Sequence, residues 1–324
     1  MDSDLFPAFV SSNRMRIEEA LHDWLPVSSA SGTERFNEAL RYAVFPGGKR
    51  LRAYLTLIAS VLGGASDEQA LTLACAVEYI HASSLILDDL PCMDDADLRR
   101  NRPTLHIAFG ESMAVLVAVA LLNQAYALFA RSAPPDAPAE RLQQLMSEVT
   151  GCIGSTGMIA GQAAELELSG VPAGVRSNDS VLSSRELKTT ALMRLMMVAG
   201  GIIAGAEESD IAALATFGER LGRAYQIYDD LADTLGDRQS TGKSVGQDSR
   251  HLRPTLVRPP LVNGSGANGS GSAHVSTLAR GIVESGQEAL LRFGNRPEAN
   301  LLRAAADYIV AGFTSVDSFP KAAV

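Results

Sequence analysis

Apolar residues recur at intervals of three and four along almost the whole chain, the spacing of one helix face. That pattern predicts helices over 11–27, closed by Pro26, and over 34–45, with Phe36, Leu40, Ala43 and Val44 on one side. A further helix opens after Arg50, and a long one covers 68–89. On that long helix His81, Ser84, Leu85 and Asp88 fall at i, i+3, i+4 and i+7, so they share one stripe. Helical spacing returns over 111–130 and over 139–168, where Gly151, Gly154, Gly157 and Gly161 are expected to let helices approach closely. It returns again from Arg185 through Met193, Met196 and Met197, over 210–235, and over 274–316. Proline and glycine punctuate the intervals: 46–48, the Pro-rich 131–138, a loop at 169–184 and a Gly/Ser-rich insert at 263–272. No strand alternation and no internal repeat is visible. The expectation is an all-α, single-domain bundle spanning residues 1–324.

Composition adds boundaries to that picture. The 324 residues are 46% hydrophobic and 20% charged, ordinary for a folded globular chain. A net charge of −9, without a Lys/Arg run, argues against a nucleic-acid partner. Cys75, Cys92 and Cys152 lack metal spacing, which suggests reduced thiols; Cys92 has no basic neighbour to activate it and reads as a packing residue. The N-terminus lacks a basic leader, and the apolar runs 113–122 and 195–206 look too short to span a bilayer. A cytoplasmic protein with no transmembrane segment is therefore expected.

The chemistry concentrates where the long helix ends. Asp88, Asp89, Asp94, Asp95 and Asp97 fall within ten residues, followed at once by Arg99 and Arg100. Apolar Leu85, Ile86 and Leu87 precede them, so the first carboxylates stand at the edge of something buried, where a lone charge is costly to desolvate. Oxygen ligands without Cys or His suit a hard cation, Mg²⁺ before Zn²⁺. A solvated acidic helix end is the bland alternative, but a second cluster, Asp229, Asp230 and Asp233, weakens it. Asp229 and Asp233 are four apart on a helix, and like charges at that spacing are kept more readily with a cation between them. Upstream, Pro46-Gly47-Gly48-Lys49-Arg50-Leu51-Arg52 breaks one helix and opens the next with cations, a arrangement suited to an anion.

The run Asp-Asp-Leu-Pro-Cys-Met-Asp-Asp followed by Leu-Arg-Arg, with the later Gln-Ile-Tyr-Asp-Asp-Leu-Ala-Asp, resembles the trans-prenyl diphosphate synthases. Its spacer is most like that of bacterial and plant geranylgeranyl diphosphate synthases, and the likeness runs from about Phe36 to Leu256. The resemblance implies an isoprenoid-synthase bundle around a deep central cavity. It implies Mg²⁺, about three ions with substrate bound, held by Asp88, Asp89, Asp94, Asp229 and Asp233, with Asp230 beside them. Lys49, Arg52, His81 and Arg100 would anchor isopentenyl diphosphate; Arg99, Lys188, Thr189, Gln162, Gln226 and Lys243 would meet the allylic partner, a dimethylallyl, geranyl or farnesyl diphosphate. The chain departs from the family at Ala53, where Pro is usual, at Glu165 for Asp, and at Gln247 and Arg253 for Lys. Little effect is expected from Ala53.

The implied reaction is head-to-tail condensation, in a homodimer. Ser83 and Ser84, one turn before Asp88, leave room for a twenty-carbon product, with Phe109 or Met113 as alternative tunnel floors. A farnesyl diphosphate synthase is the alternative by product length. A terpene cyclase would have no use for the second set of cations, and a non-catalytic modulatory subunit would have lost aspartates from one cluster.

Overall fold

The structure, a computed structural model, describes residues 4–45, 48–168, 186–235 and 270–314, with backbone alone at 186, 228–235, 270–276 and 312–314. In chain order the helices are α1 (Leu5–Asp23), α2 (Glu34–Val44), α3 (Leu51–Leu62), α4 (Asp67–Asp88), α5 (Leu105–Phe109), α6 (Glu111–Arg131), α7 (Ala139–Ile153) and α8 (Met158–Leu168). A turn of π-helix (Glu186–Thr190) leads into α9 (Ala191–Ala204), followed by α10 (Glu208–Leu235), α11 (Ser270–Ala289) and α12 (Pro297–Thr314). The all-α expectation holds, with corrections at particular places.

Helix α4 is the axis of the fold. Ser66 starts it with a reciprocal cap: its hydroxyl accepts the Gln69 N–H at 3.3 Å, and the Gln69 side chain accepts the Ser66 N–H at 2.8 Å. From there Leu73, Ala74, Cys75, Ala76, Val77 and Tyr79 are buried against α3, α6 and α9. His81, Ser84, Leu85 and Asp88 are only half-buried, so the stripe read from the sequence is the one side of α4 that opens onto a cleft. Helices α3 and α9 cross at small residues. A Cβ on Gly200 would lie 2.2 Å from the Ser60 Cα, and one on Gly63 would lie 2.7 Å from the Gly201 Cα. That approach admits no side chain.

Residues 139–168 are two helices, not one run. Two of their glycines serve the break: a Cβ on Gly154 would lie 2.6 Å from the Thr150 carbonyl oxygen and one on Gly157 2.0 Å from that of Cys152, so the chain can fold back over the end of α7. The insert at 263–272 is shorter than expected, because α11 already begins at Ser270; the rest of it lies outside the described residues. A strand pair is present where none was expected: Leu98–Arg99 (β1) pairs antiparallel with Arg102–Pro103 (β2). Arg100 and Asn101 between them have φ of 54° and 58°, the type I′ turn that a two-residue hairpin loop requires. Cys92 is exposed, so it is not the packing residue expected.

The length argument against membrane crossing also fails. Helices Asp67–Asp88, Glu111–Arg131 and Leu187–Ala204 are each long and apolar enough to span a bilayer. Two-thirds of the apolar stretch is buried within the fold in the first and third, against 39% in the second.

Candidate active site

The acidic cluster forms as α4 ends. The chain turns back at once: the Asp94 N–H donates to the Asp88 carbonyl at 2.9 Å and the Ala96 N–H to that of Asp89 at 3.2 Å, which curls Asp94 over the helix terminus. The two leading aspartates then part company. Asp89 is buried and grips Arg99 of the hairpin with both oxygens, receiving Nε at 2.7 Å and Nη2 at 2.6 Å. Asp88 faces Lys188 of the π turn, whose Nζ lies 3.3 Å from Oδ2 and 3.2 Å from Glu165 Oε2 on α8. Burial pushes the Asp88 carboxyl above its ordinary value, and Lys188 offsets this only in part. Burial works against the Lys188 ammonium too, but Asp88 and Glu165 outweigh it and hold its pKa up. The π turn that delivers this lysine has no counterpart in the sequence pattern, which reads as an ordinary helix start; such turns cluster at functional positions.

The same turn reaches the second carboxylate cluster. The Thr189 hydroxyl donates to Gln226 Oε1 at 2.7 Å, and α10 continues as helix from there through Leu235. Asp229 and Asp233 are thus four apart on one helix, as expected. The side chains of Asp229, Asp230 and Asp233 lie outside the described residues, as do Lys243, Gln247 and Arg253 entirely. Gln162 on α8 donates to Met93 Sδ at 3.8 Å, while its buried Oε1 has no hydrogen-bond partner among the described residues. An orphaned buried acceptor next to the cluster marks room for a polar ligand.

The basic wall stands across the stripe of α4. Arg52 donates to His81 Nε2 at 3.2 Å; arginine can only donate, so this nitrogen carries no proton. The Arg52 guanidinium also lies 5.9 Å from the Tyr225 ring, and its buried Nε has no partner among the described residues. Lys49 is exposed nearby in sequence, and Pro46 and Gly47 lie outside the described residues. The Arg100 guanidinium sits over Gly48, where a Cβ would meet its Cζ at 2.8 Å. A small cavity between α2, α4 and the hairpin is lined by Tyr42, Glu78, His81, Leu85, Asp89 and Arg100, among others.

The two serines part: Ser84 stays on the half-buried stripe and Ser83 turns away from it. Ser83 is buried and donates to the Ala118 carbonyl on α6 at 2.9 Å, while Ser84 bonds the His81 carbonyl of its own helix at 3.0 Å. Sequence reasoning also missed the partners of Arg50. That side chain turns inward to Glu18 and Glu78 at 2.9 and 3.1 Å. The available signal was Glu78 itself, a lone charge inside an apolar helix run, which must be paired.

For metal ligation, the donors at hand are carboxylate oxygens of Asp88, Asp94 and Glu165, a set that fits a hard divalent cation. No three metal-binding side chains converge among the described residues. The ligands from the second cluster would have to complete the site.

An all-α bundle that ends its central helix in paired carboxylates, opposite a wall of arginines and a histidine, is a scaffold for handling diphosphates. Residues 33–264 match the polyprenyl synthetase family, and the chain belongs to that family, the trans-prenyl diphosphate synthases, a class of prenyltransferases. It is 34% identical over 273 residues to the farnesyl diphosphate synthase of Bacillus subtilis (strain 168), covering 84% of this chain and 90% of that one. It is 33% identical over 298 residues to the geranylgeranyl diphosphate synthase of Cyanophora paradoxa, covering 90% and 93%. Its fold matches that of an FPP/GFPP synthase from Zymomonas mobilis with a TM-score of 0.77 at 30% identity, covering 95% and 99%.

Proposed function

We propose that this chain condenses isopentenyl diphosphate head-to-tail with allylic diphosphates and releases the twenty-carbon product, geranylgeranyl diphosphate. The observation that carries the reaction is the meeting of Asp88, Lys188 and Glu165 at the end of a stripe that also bears His81, beside Arg52. Two separate sets of cations suit two diphosphates, which a cyclase acting on one substrate does not need.

Mg²⁺ held by Asp88, Asp94 and the carboxylates of α10 would neutralise the allylic diphosphate as it leaves. Lys188 lies on that side, beside Thr189, and supplies a donor to the departing oxygens. Lys49, Arg52, His81 and Arg100 hold the second diphosphate so that its double bond faces the carbon being attacked. Among the described residues no side chain stands out as a base, and the departed diphosphate takes the proton lost afterwards. Half-buried Leu85 and Met93 beside Asp88 help keep water from the cation.

Product length rests on the chain's own residues, since its relatives include both farnesyl and geranylgeranyl diphosphate synthases. Small, half-buried Ser84 lies on the same stripe of α4 as Asp88, one turn before it, and its size favours room for a lengthening tail; Ser83, turned to α6, has no part in this. The working unit is a homodimer: on α6 the exposed Ser112, Val115, Leu116, Val119 and Asn123 repeat at helical spacing, and Leu116 and Val119 are each 58% exposed. The apolar centre of that stripe, Val115, Leu116 and Val119, suits a helix from a second copy. Incubation with Mg²⁺, isopentenyl diphosphate and each of the three allylic diphosphates, with chromatography of the products, tests the reading. Products stopping at fifteen carbons would overturn the length, and no condensation with any primer would overturn the activity.

A further inference from the structure

Directly behind the basic wall lies a buried charged group with no part in the reaction as described. Arg50 stands between Lys49 and Arg52 in sequence but turns into the core, where it is 8% exposed. Its guanidinium grips both oxygens of Glu18 on α1 at 2.9 and 3.0 Å, donates to Glu78 Oε2 on α4 at 3.1 Å, and donates to the Val44 carbonyl closing α2 at 2.9 Å. Its backbone sits at φ 49°, a left-handed conformation that a non-glycine residue holds only when its surroundings impose it. The other oxygen of Glu78 accepts the Ala53 N–H at 3.1 Å.

One buried carboxylate therefore takes two donors from a single turn, one on each side of Arg52. Glu78 lies three residues before His81 on α4, hence on the same side of the helix, and Arg52 closes the circuit by its bond to His81. The Ala53 bond depends on this chain's departure from its family, because proline at 53 would have no N–H to give. The substitution expected to be silent adds a hydrogen bond.

We propose that Glu78 is a positioning residue for isopentenyl diphosphate: by holding Arg50 and the Ala53 amide together it fixes the spacing of Lys49, Arg52 and His81. This rests on the assignment of that wall to isopentenyl diphosphate under Proposed function. Glu78→Gln keeps the size and one acceptor but removes the charge opposing Arg50. It should raise both the Kd for isopentenyl diphosphate, measured by calorimetry without allylic substrate, and its KM by about tenfold. The KM for the allylic substrate should move less than about twofold. Ala53→Pro should shift the same constant in the same direction by a smaller factor, and it carries the readout should Glu78→Gln not fold. A merely structural role would lower the active fraction and leave both KM values alone, as core Leu214→Ala, far from Arg50 in sequence, should do at a comparable loss of Tm. Unchanged affinity for isopentenyl diphosphate, or equal rises in both KM values, would overturn the proposal. Wild-type protein that fails to bind isopentenyl diphosphate would overturn the assignment of the wall itself, and the proposal with it.

Discussion

Lys188 carries a measurable share of the free energy of the ligand-free protein, because it is the cation that makes two buried carboxylates tolerable. Its ammonium is 3.3 Å from Asp88 and 3.2 Å from Glu165, and the three side chains are 25%, 15% and 12% exposed. Removing one partner of a fully buried pair costs roughly 3–5 kcal/mol, and partial exposure with solvent screening reduces that to about 2–3 kcal/mol here. Lys188→Met, similar in shape and uncharged, should therefore lower Tm by about 3–4 °C for a chain of this size. Added metal should recover part of that loss. Two uncompensated carboxylates should accept Mg²⁺ without first displacing an ammonium, and Mg²⁺ at ten times its Kd returns about 1.4 kcal/mol. Thermal denaturation followed by far-ultraviolet circular dichroism, in EDTA and in a MgCl₂ series, gives both numbers. Equal Tm for mutant and wild type in EDTA would show that Lys188 compensates nothing. Equal Mg²⁺ stabilisation of the two would show that it does not stand in the cation's place.

Other perturbations separate the remaining roles. Asp88→Asn should reduce Mg²⁺-dependent turnover by several orders of magnitude with a small change in Tm, whereas Asp89→Asn should lower Tm more, since it releases Arg99 and the hairpin; the reverse ranking would invert the two assignments. Ser84→Phe adds a ring to the open stripe of α4 and should shorten the product toward farnesyl diphosphate while isopentenyl incorporation continues, so an unchanged product would place the tunnel floor elsewhere. Val119→Glu with Leu116→Glu should convert dimer to monomer in sedimentation velocity, and an unaltered sedimentation coefficient would remove α6 from the interface.

The periodic parts of the molecule were legible and the local exceptions were not. The stripe of His81, Ser84, Leu85 and Asp88 could be read because a regular helix makes facing a matter of arithmetic. The hairpin at 98–103 escaped because its turn is made by Arg100 and Asn101 in left-handed conformations, and arginine there reads as a cation before it reads as a turn residue. Asn101 was the one usable hint. The π turn at Glu186–Thr190 escaped because its residues fit an α-helix equally well; tertiary contacts of Lys188 and Thr189 settle the difference. Arg50 shows the same limit at longer range, since its partners lie 32 and 28 residues away. A motif names the residue types, and only the fold sorts Lys49 and Arg52 from Arg50.

The two leading aspartates make the sorting most visible. They are adjacent, chemically identical and part of one motif, yet each finds a different cation. Asp89 meets a planar guanidinium that engages both its oxygens, the geometry in which arginine locks a carboxylate. Its charge is spent on holding the hairpin that carries Arg100. Asp88 meets an ammonium, a point charge on a flexible stem, which satisfies the carboxylate without fixing its direction. A carboxylate offers about four acceptor positions, so Asp88 keeps capacity for a further ligand and Asp89 has far less. The flexible lysine is also the more readily surrendered of the two cations, and it sits on the π turn tied through Thr189 to the helix bearing the second cluster. Of the pair, Asp88 is built to exchange its partner and Asp89 to keep it.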